Sequence, residues 1–449
     1  MHDTAADIHR EIVRPSESAG EGWTPPLNGV ASLRRNVAWA AIGNAGYAAC
    51  QWGVLIVLTK LTTAADVGRF ALGLAVTAPV MIAAGLQLRM VQATDARGEY
   101  PFGVYLGLRL VTTALAFATI GIIAISAGYR GDTLLVITFV ALAKAFEAVS
   151  DIIFGLFQQR ENLRRIAISM LLKGIASVLS LGLTLWWTKS VVTAALMMAL
   201  VWGGLLVVYD VAGGARLAPL RPAMTTAAAW RLGCLALPMG LVAGLQSLIT
   251  NVPRYTIEAS QGSAALGHFA AIAYLILAGN QLVMALWAAA SPRLARCFMT
   301  DISAYRRLAA RTTAAAGAMG VVVVIGATVL GEPVLKLAYS AEYAAHVRVL
   351  VWLSVWAAVG YVASGLSCAV SAARRFPEQL LVAMLALVVC SVASRLLIPK
   401  YGLVGAAWAL VAAAVTQACC LATIYVGILW ARASAVMASR TTAAEVAGT

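Results

Sequence analysis

The chain is short of charge, and shortest of acid. Of its 449 residues only 12% are charged and 19 are Asp or Glu, whereas soluble domains carry roughly a quarter charged residues. Too few polar side chains remain to coat a water-soluble globule of this length, which excludes an ordinary soluble enzyme. The 61% hydrophobic content excludes a disordered protein. Histidine is scarce: there are four, and His2 and His9 lie in the polar N-terminal stretch. The seven cysteines (Cys50, Cys234, Cys297, Cys368, Cys390, Cys419 and Cys420) form no CxxC and sit in apolar runs or a basic loop, so neither a disulfide scaffold nor a metal site is expected. No GxxxxGK[ST] sequence occurs, which argues against ATP-driven transport by this chain alone. The first 33 residues are polar and lack the charged, apolar and small-residue order of a cleaved signal peptide.

What the chain does have is long apolar runs and a mean hydropathy of +0.85. A helix needs about 20 largely apolar residues to cross the hydrocarbon core, where backbone polar groups must bond to one another. By that rule the sequence holds twelve spans, near 37–59, 68–90, 104–127, 134–157, 166–187, 190–209, 232–251, 268–290, 313–331, 349–371, 378–398 and 403–430. The expected fold is an all-α polytopic membrane protein of two six-helix lobes. The organisation that follows is a disordered tail over 1–33, an N-lobe over 34–209, a connector over 210–231, a C-lobe over 232–430 and a second tail over 431–449.

The net charge of +14 is no nucleic-acid footprint, because the 33 basic residues are scattered in short groups between apolar runs. Twenty-one of them fall on the side that holds both termini and eight on the other. The excess of Lys and Arg marks that side as cytosolic. The stretch from Pro292 to Arg311 reads as a basic amphipathic helix on that surface, in contact with anionic lipid. A weak repeat also runs through the chain: Val67-Gly68-Arg69-Phe70-Ala71 is echoed 199 residues later by Leu266-Gly267-His268-Phe269-Ala270. Two halves running in the same direction imply a pseudo-two-fold axis along the membrane normal.

Strong polar groups inside spans are costly, so each is a candidate for function. Asn44, Tyr47 and Gln51 share one face of span one, and Gln246, Thr250 and Arg254 share one face of span seven and its outer end. The two stripes read either as walls of a central cavity or as hydrogen bonds between packed helices. Span four carries Lys144, Glu147 and Asp151 in one stripe. Counting residues from the hairpin turns at about 1.5 Å each puts Arg109, Asp151 and Lys173 at one depth. Two readings stay open. One is a buried ion network. The other is a water-filled cavity in which Arg109, Lys144 and Lys173, with Arg254, Asn44, Gln51 and Gln246, hold an anionic headgroup while Glu147 or Asp151 takes up a coupling ion.

Several blocks, in order, resemble the polysaccharide-type flippases of the multidrug/oligosaccharidyl-lipid/polysaccharide superfamily. They are LTTAADVGRF at 61–70, FQQRENLRRI at 157–166, SPRLAR at 291–296, GEPVLKLAYSAEYA at 331–344 and YGLVGAAWA at 401–409. The resemblance covers residues 32–430. It implies two lobes that rock about a cationic cavity and move an undecaprenyl-diphosphate-linked oligosaccharide from the cytosolic to the outer leaflet of a bacterial inner membrane, for exopolysaccharide or O-antigen synthesis. The implied partners are the lipid-linked sugar, membrane lipids, glycosyltransferases and a glycan polymerase; no cofactor is implied beyond possible H+ or Na+ coupling. Two alternatives remain: a cation-coupled exporter of drugs or metabolites from the same superfamily, and a membrane glycan polymerase or ligase. The latter would need a larger outer loop than the one near 332–348.

Overall fold

Hydrocarbon offers the backbone no water, and the chain answers with helix after helix. A computed structural model describes residues 30–95, 98–223 and 226–447. The expected N-terminal tail lies, but for its last four residues, outside them. Helices α1 (Val30–Leu61), α2 (Ala64–Ala84), α3 (Phe102–Ser126), α4 (Gly131–Gln159), α5 (Leu163–Thr188) and α6 (Val191–Leu205) make the first lobe. The second begins with a helix over Thr226–Thr300 that breaks at Gly262 into arms α7 and α8. Next come α9 (Ile302–Ala338), α10 (Val347–Ala372) and a helix over Phe376–Ala447 that breaks at Gly402 into α11 and α12. Among the described residues, ten helices are long and apolar enough to cross a bilayer, and the two glycine breaks bring the crossings to twelve, as expected.

Four boundaries differ from the sequence reading. First, the loop expected over 252–267 is helical except at Gly262, whose φ of 82° only glycine takes without strain. Its polar residues lowered the hydropathy, yet each has a partner: Arg254 donates to Asn251 (3.0 Å), Ser263 donates to Glu258 (2.8 Å) and Gln261 donates to the Ile398 carbonyl (3.1 Å). Second, α6 does not stop at 209. It widens into a π-turn over Leu206–Val211 and continues to Gly214, so the connector is shorter than 210–231. Third, the basic stretch 292–311 keeps its arginines exposed but is not one helix: it is a helical hairpin between α8 and α9, turned at Asp301, whose carboxylate accepts from the Ser303 (2.8 Å) and Ala304 (3.1 Å) amides. Fourth, helix reaches out to Val30 at one end and Ala447 at the other, beyond the apolar segments.

The repeat seen in the sequence is where the lobes meet. A Cβ on Gly68 would run into the Ser263 carbonyl, and one on Gly267 into the Ala64 carbonyl. These contacts are mirror equivalents, since Ala64 and Ser263 are separated by the same 199 residues as Gly68 and Gly267. Equivalent residues can touch only on the pseudo-symmetry axis, so α2 and α8 cross there, backbone against backbone, in the manner of small-residue membrane interfaces. Further along α2, Gly240 and Gly244 of α7 press on Ala83. Beside the crossing, Trp52 of α1 donates to the Tyr339 hydroxyl (3.1 Å), which donates to the Ala271 carbonyl of α8 (2.9 Å). Tyr343 stacks between Tyr339 (5.3 Å) and His268 (4.8 Å), and His268 pairs with Glu342 (2.9 Å) and lies 4.9 Å from the His346 ring. These contacts together make one seam between the two lobes.

Gly267→Leu should lower the Tm of the purified chain by the equivalent of about 1–3 kcal/mol, the usual cost of overpacking. Gly121→Leu, where a Cβ meets nothing within 4 Å, should not. Equal effects of the two would refute the tight crossing. The seam also responds to pH. Burial, and next the neighbouring His268, hold the His346 imidazole below its ordinary value, with Glu342 opposing. A depressed native value makes this contact fully stabilising above about pH 6.5, the unfolded value, with loss as pH falls through the native one. Thermal melts at pH 7.5 and 5 should therefore differ more for the wild type than for His346→Gln.

Candidate functional site

Inside the first lobe, α2, α3 and α4 leave a cleft of about 340 Å³ lined by Gln87, Arg109, Lys144, Glu147 and Asp151 beside the apolar Ala78, Met81 and Ile82. The 3.6-residue period of α4 puts Lys144, Glu147 and Asp151 on one wall. Lys144 bonds Glu147 at 2.7 Å, and the Tyr47 hydroxyl of α1 donates to the same carboxylate at 3.0 Å. Asp151 holds two guanidinium groups, Arg109 of α3 at 3.1 Å and Arg89 at 3.2 Å. Arg89 stands on a short helix (Leu88–Thr94) that follows a left-handed pair, Leu86 and Gln87. That turn swings the basic side chain back over α4, where it also bonds Gln158 (3.2 Å). Three cations thus face two carboxylates. The Arg109 side chain is only 4% exposed, whereas Asp151 is 36% exposed and Glu147 33%, so the acids look into open space.

The cleft gathers four of the nine residues singled out from the sequence: Arg109, Lys144, Glu147 and Asp151. Lys173, expected at the same level, turns away. Its ammonium is buried against Asp210 at 2.8 Å, with the carboxylate also taking the Ser169 hydroxyl (2.7 Å) and with Phe154 5.0 Å from the charge. The surplus positive charge assigned to Lys173 is therefore neutralised inside the helix bundle, and the group does not line the cleft. Asp210 escaped the sequence reading because a charge ended span six at 209. The π-turn keeps the helix going and points Asp210 inward, fully buried. Such turns often mark functional positions. The signal that could have found it was Lys173 itself, a membrane cation with no acid assigned to it.

Among the described residues, the two polar stripes do not come together in either of the two clefts. Tyr47 serves the charged cleft. Gln246 and Thr250 line a second cleft, of about 380 Å³, inside the other lobe, where Gln417 of α12 donates to Gln246 at 3.1 Å. Asn44 is exposed and bonds the Ala40 carbonyl of its own helix (2.8 Å). Gln51 is half-buried on the same helix. Arg254 is buried between Asn251 and the Tyr274 ring, 5.7 Å away, rather than at an outer helix end. Tyr274 in turn packs against the first lobe's core.

Solved structures share this architecture. Over 89% of this chain and 97% of its own, a MATE transporter of Vibrio cholerae superposes with a TM-score of 0.63 at 13% identity. The lipid II flippase MurJ, in an inward closed conformation, gives 0.64 at 11% identity over 88% of this chain and 87% of that one. A MOP superfamily transporter of Pyrococcus furiosus gives 0.60 at 16% identity, covering 90% and 95%. The chain shares the fold of these MOP superfamily transporters. In sequence the chain is similar to the capsular polysaccharide biosynthesis protein CapF of Staphylococcus aureus, 28% identical over 386 residues, which are 83% of this chain and 94% of that protein. No protein-family model matches. The resemblance read from the sequence blocks agrees with both the superfamily fold and this relative.

Removing one partner of a buried ion pair leaves a bare charge and costs about 3–5 kcal/mol, whereas replacing both by apolar groups is often neutral. Lys173→Met should therefore sharply lower the Tm of the purified chain, and Lys173→Met combined with Asp210→Leu should recover most of the loss. If the double variant melts no higher than the single one, the pair is not what stabilises α5 against α6.

Proposed function

We propose that the chain is a flippase for polyprenyl-diphosphate-linked oligosaccharides in a bacterial inner membrane, serving exopolysaccharide or O-antigen synthesis, with both termini in the cytosol. The observation that carries this reading is the charged cleft, where Arg109 and Lys144 line the wall and Arg89 joins Arg109 on Asp151, so that three cations share two carboxylates. A diphosphate cannot enter hydrocarbon without cations to replace its water, and guanidinium groups match phosphate oxygens in pairs. The polyprenyl tail can stay in lipid throughout. The naming of the Staphylococcus aureus relative as a capsular polysaccharide biosynthesis protein and of a structural neighbour as a lipid II flippase supports the same substrate class.

The geometry suggests how substrate and ion would exchange. Glu147 holds Lys144 in the cleft. A proton or Na+ on Glu147 or Asp151 would free Lys144 or Arg89 for the diphosphate, and release of the substrate would let the ion pair re-form. The lobes would rock about the seam, exposing the cleft to each leaflet in turn. A second reading, export of cationic compounds, draws on the fold shared with MATE transporters and on the same exposed carboxylates.

The test is transfer of a labelled short-chain polyprenyl-diphosphate disaccharide across vesicles containing the purified chain. The wild type should move it. Lys144→Gln, which removes a half-exposed charge, should slow it at least ~10-fold, in line with ~1.5–3 kcal/mol for a hydrogen bond to a charged group. Efflux of a cationic dye with no movement of the lipid would favour the exporter, and lengthening of the glycan by the purified chain would make it a polymerase.

A further inference from the structure

The second lobe's cleft has a different chemistry from the first, and no role has been given to it. It lies among α7, α8, α10, α11 and α12. Among the described residues, none of its lining side chains carries a charge. Its polar groups are amides and hydroxyls: Gln246, Asn280, Gln379 and Gln417, with Thr250, Ser364 and Ser367. Two aromatic side chains, Trp356 and Tyr361, complete the wall. Gln379 is held in place from both ends, accepting from Ser367 at 2.8 Å and donating to Ser371 at 2.9 Å. The Tyr361 hydroxyl, by contrast, has no partner although the residue is only 5% exposed. A buried hydroxyl left unpaired costs about 1–3 kcal/mol, and such a group calls for an explanation. Next to it, a Cβ on Gly360 would meet nothing within 4 Å.

We infer that this cleft is a carbohydrate subsite for neutral or N-acetylated sugars, which would take the glycan of the substrate while the charged cleft takes its diphosphate. The inference rests on the flippase reading above. Amides present donors and acceptors side by side, as a sugar's hydroxyls require. An aromatic face suits the apolar side of a pyranose. Metal ions and organic cations call for carboxylates, and acidic sugars for lysine or arginine, and the cleft offers neither. Gly360 keeps the space open, and the Tyr361 hydroxyl waits for a partner.

The experiment compares binding of two probes to the full chain in lipid nanodiscs: a short-chain polyprenyl diphosphate, bare, and the same lipid carrying an N-acetylated disaccharide. The sugar should raise the affinity of the wild type at least ~10-fold. Gln379→Leu, Tyr361→Phe and Gly360→Leu should each remove most of that gain and leave binding of the bare lipid unchanged. Tyr361→Phe deletes only the unpaired hydroxyl, so it should not lower the Tm. If the bare lipid binds but the disaccharide adds nothing, or if the three variants keep the gain, the subsite is refuted while the flippase reading stands. If neither lipid binds the wild type, both fall.

Discussion

An ionised side chain in hydrocarbon must have a partner, water, or both, and that constraint sorts this protein's interior. Lys173 and Asp210 are buried and bond each other, with Ser169 on the carboxylate and Phe154 against the ammonium, and neither lines the charged cleft. The pair ties α5 to α6 and is free to do nothing else. Arg109, Arg89, Lys144, Glu147 and Asp151 are also paired, but their acids face open space and each acid is shared between two donors. A shared acid can give up one donor and remain satisfied by the other. An incoming anion therefore needs to break only half of each arrangement, which makes this cleft exchangeable where the Lys173 pair is locked.

The two lobes keep one register and differ in chemistry. Tyr47 and Gln246 are equivalent through the 199-residue offset, as are Gln51 and Thr250. Tyr47 meets a glutamate and Gln246 meets a glutamine. Tyr47 thus reaches an acid of the charged cleft, whereas Gln246 and Thr250 themselves line the neutral one. A substrate with a charged end and a neutral end has both ends provided for. A small organic cation would have no use for the second cleft as built.

How much of this was legible depended on what each signal measured. Hydropathy counts apolar runs, so it found twelve crossings, and it misplaced those boundaries where polar residues inside a helix are paired. The segment 252–267 looked like a loop because it holds Arg254, Glu258 and Gln261, whose partners lie up to 137 residues away in sequence. Asp210 was lost for the same reason. Helical spacing put Lys144, Glu147 and Asp151 on one face, and the depth count brought Arg109 to Asp151. Depth alone cannot say which way a side chain turns about its helix axis, which is why Lys173 was grouped with a cleft it does not reach. Arg89 was counted only as an orientation signal, because nothing in the sequence announces the left-handed turn at Leu86 and Gln87 that folds it back.

The glycine repeat carried more than it disclosed. Read as sequence, it argued for two halves; in the fold it is also the point where they touch, because small residues let two backbones approach and symmetry places equivalent ones on the axis. From that point α2 runs on past the charged cleft, contributing Ala78, Met81 and Ile82, and then meets α7 at Gly240 and Gly244. Its C-cap residue, Gly85, lies under the guanidinium of Arg109, where a Cβ would come within 2.9 Å of Nη1. One helix is therefore in contact with the crossing, with the cleft and with the partner lobe. Pro79 lies between the crossing and Gly85 and is the position at which this helix can bend. A change in the crossing at Gly68 and Gly267 would have this one helix as its route to the floor beneath Arg109, and an anion that draws Arg109 away from Asp151 would act on the same helix from the other end.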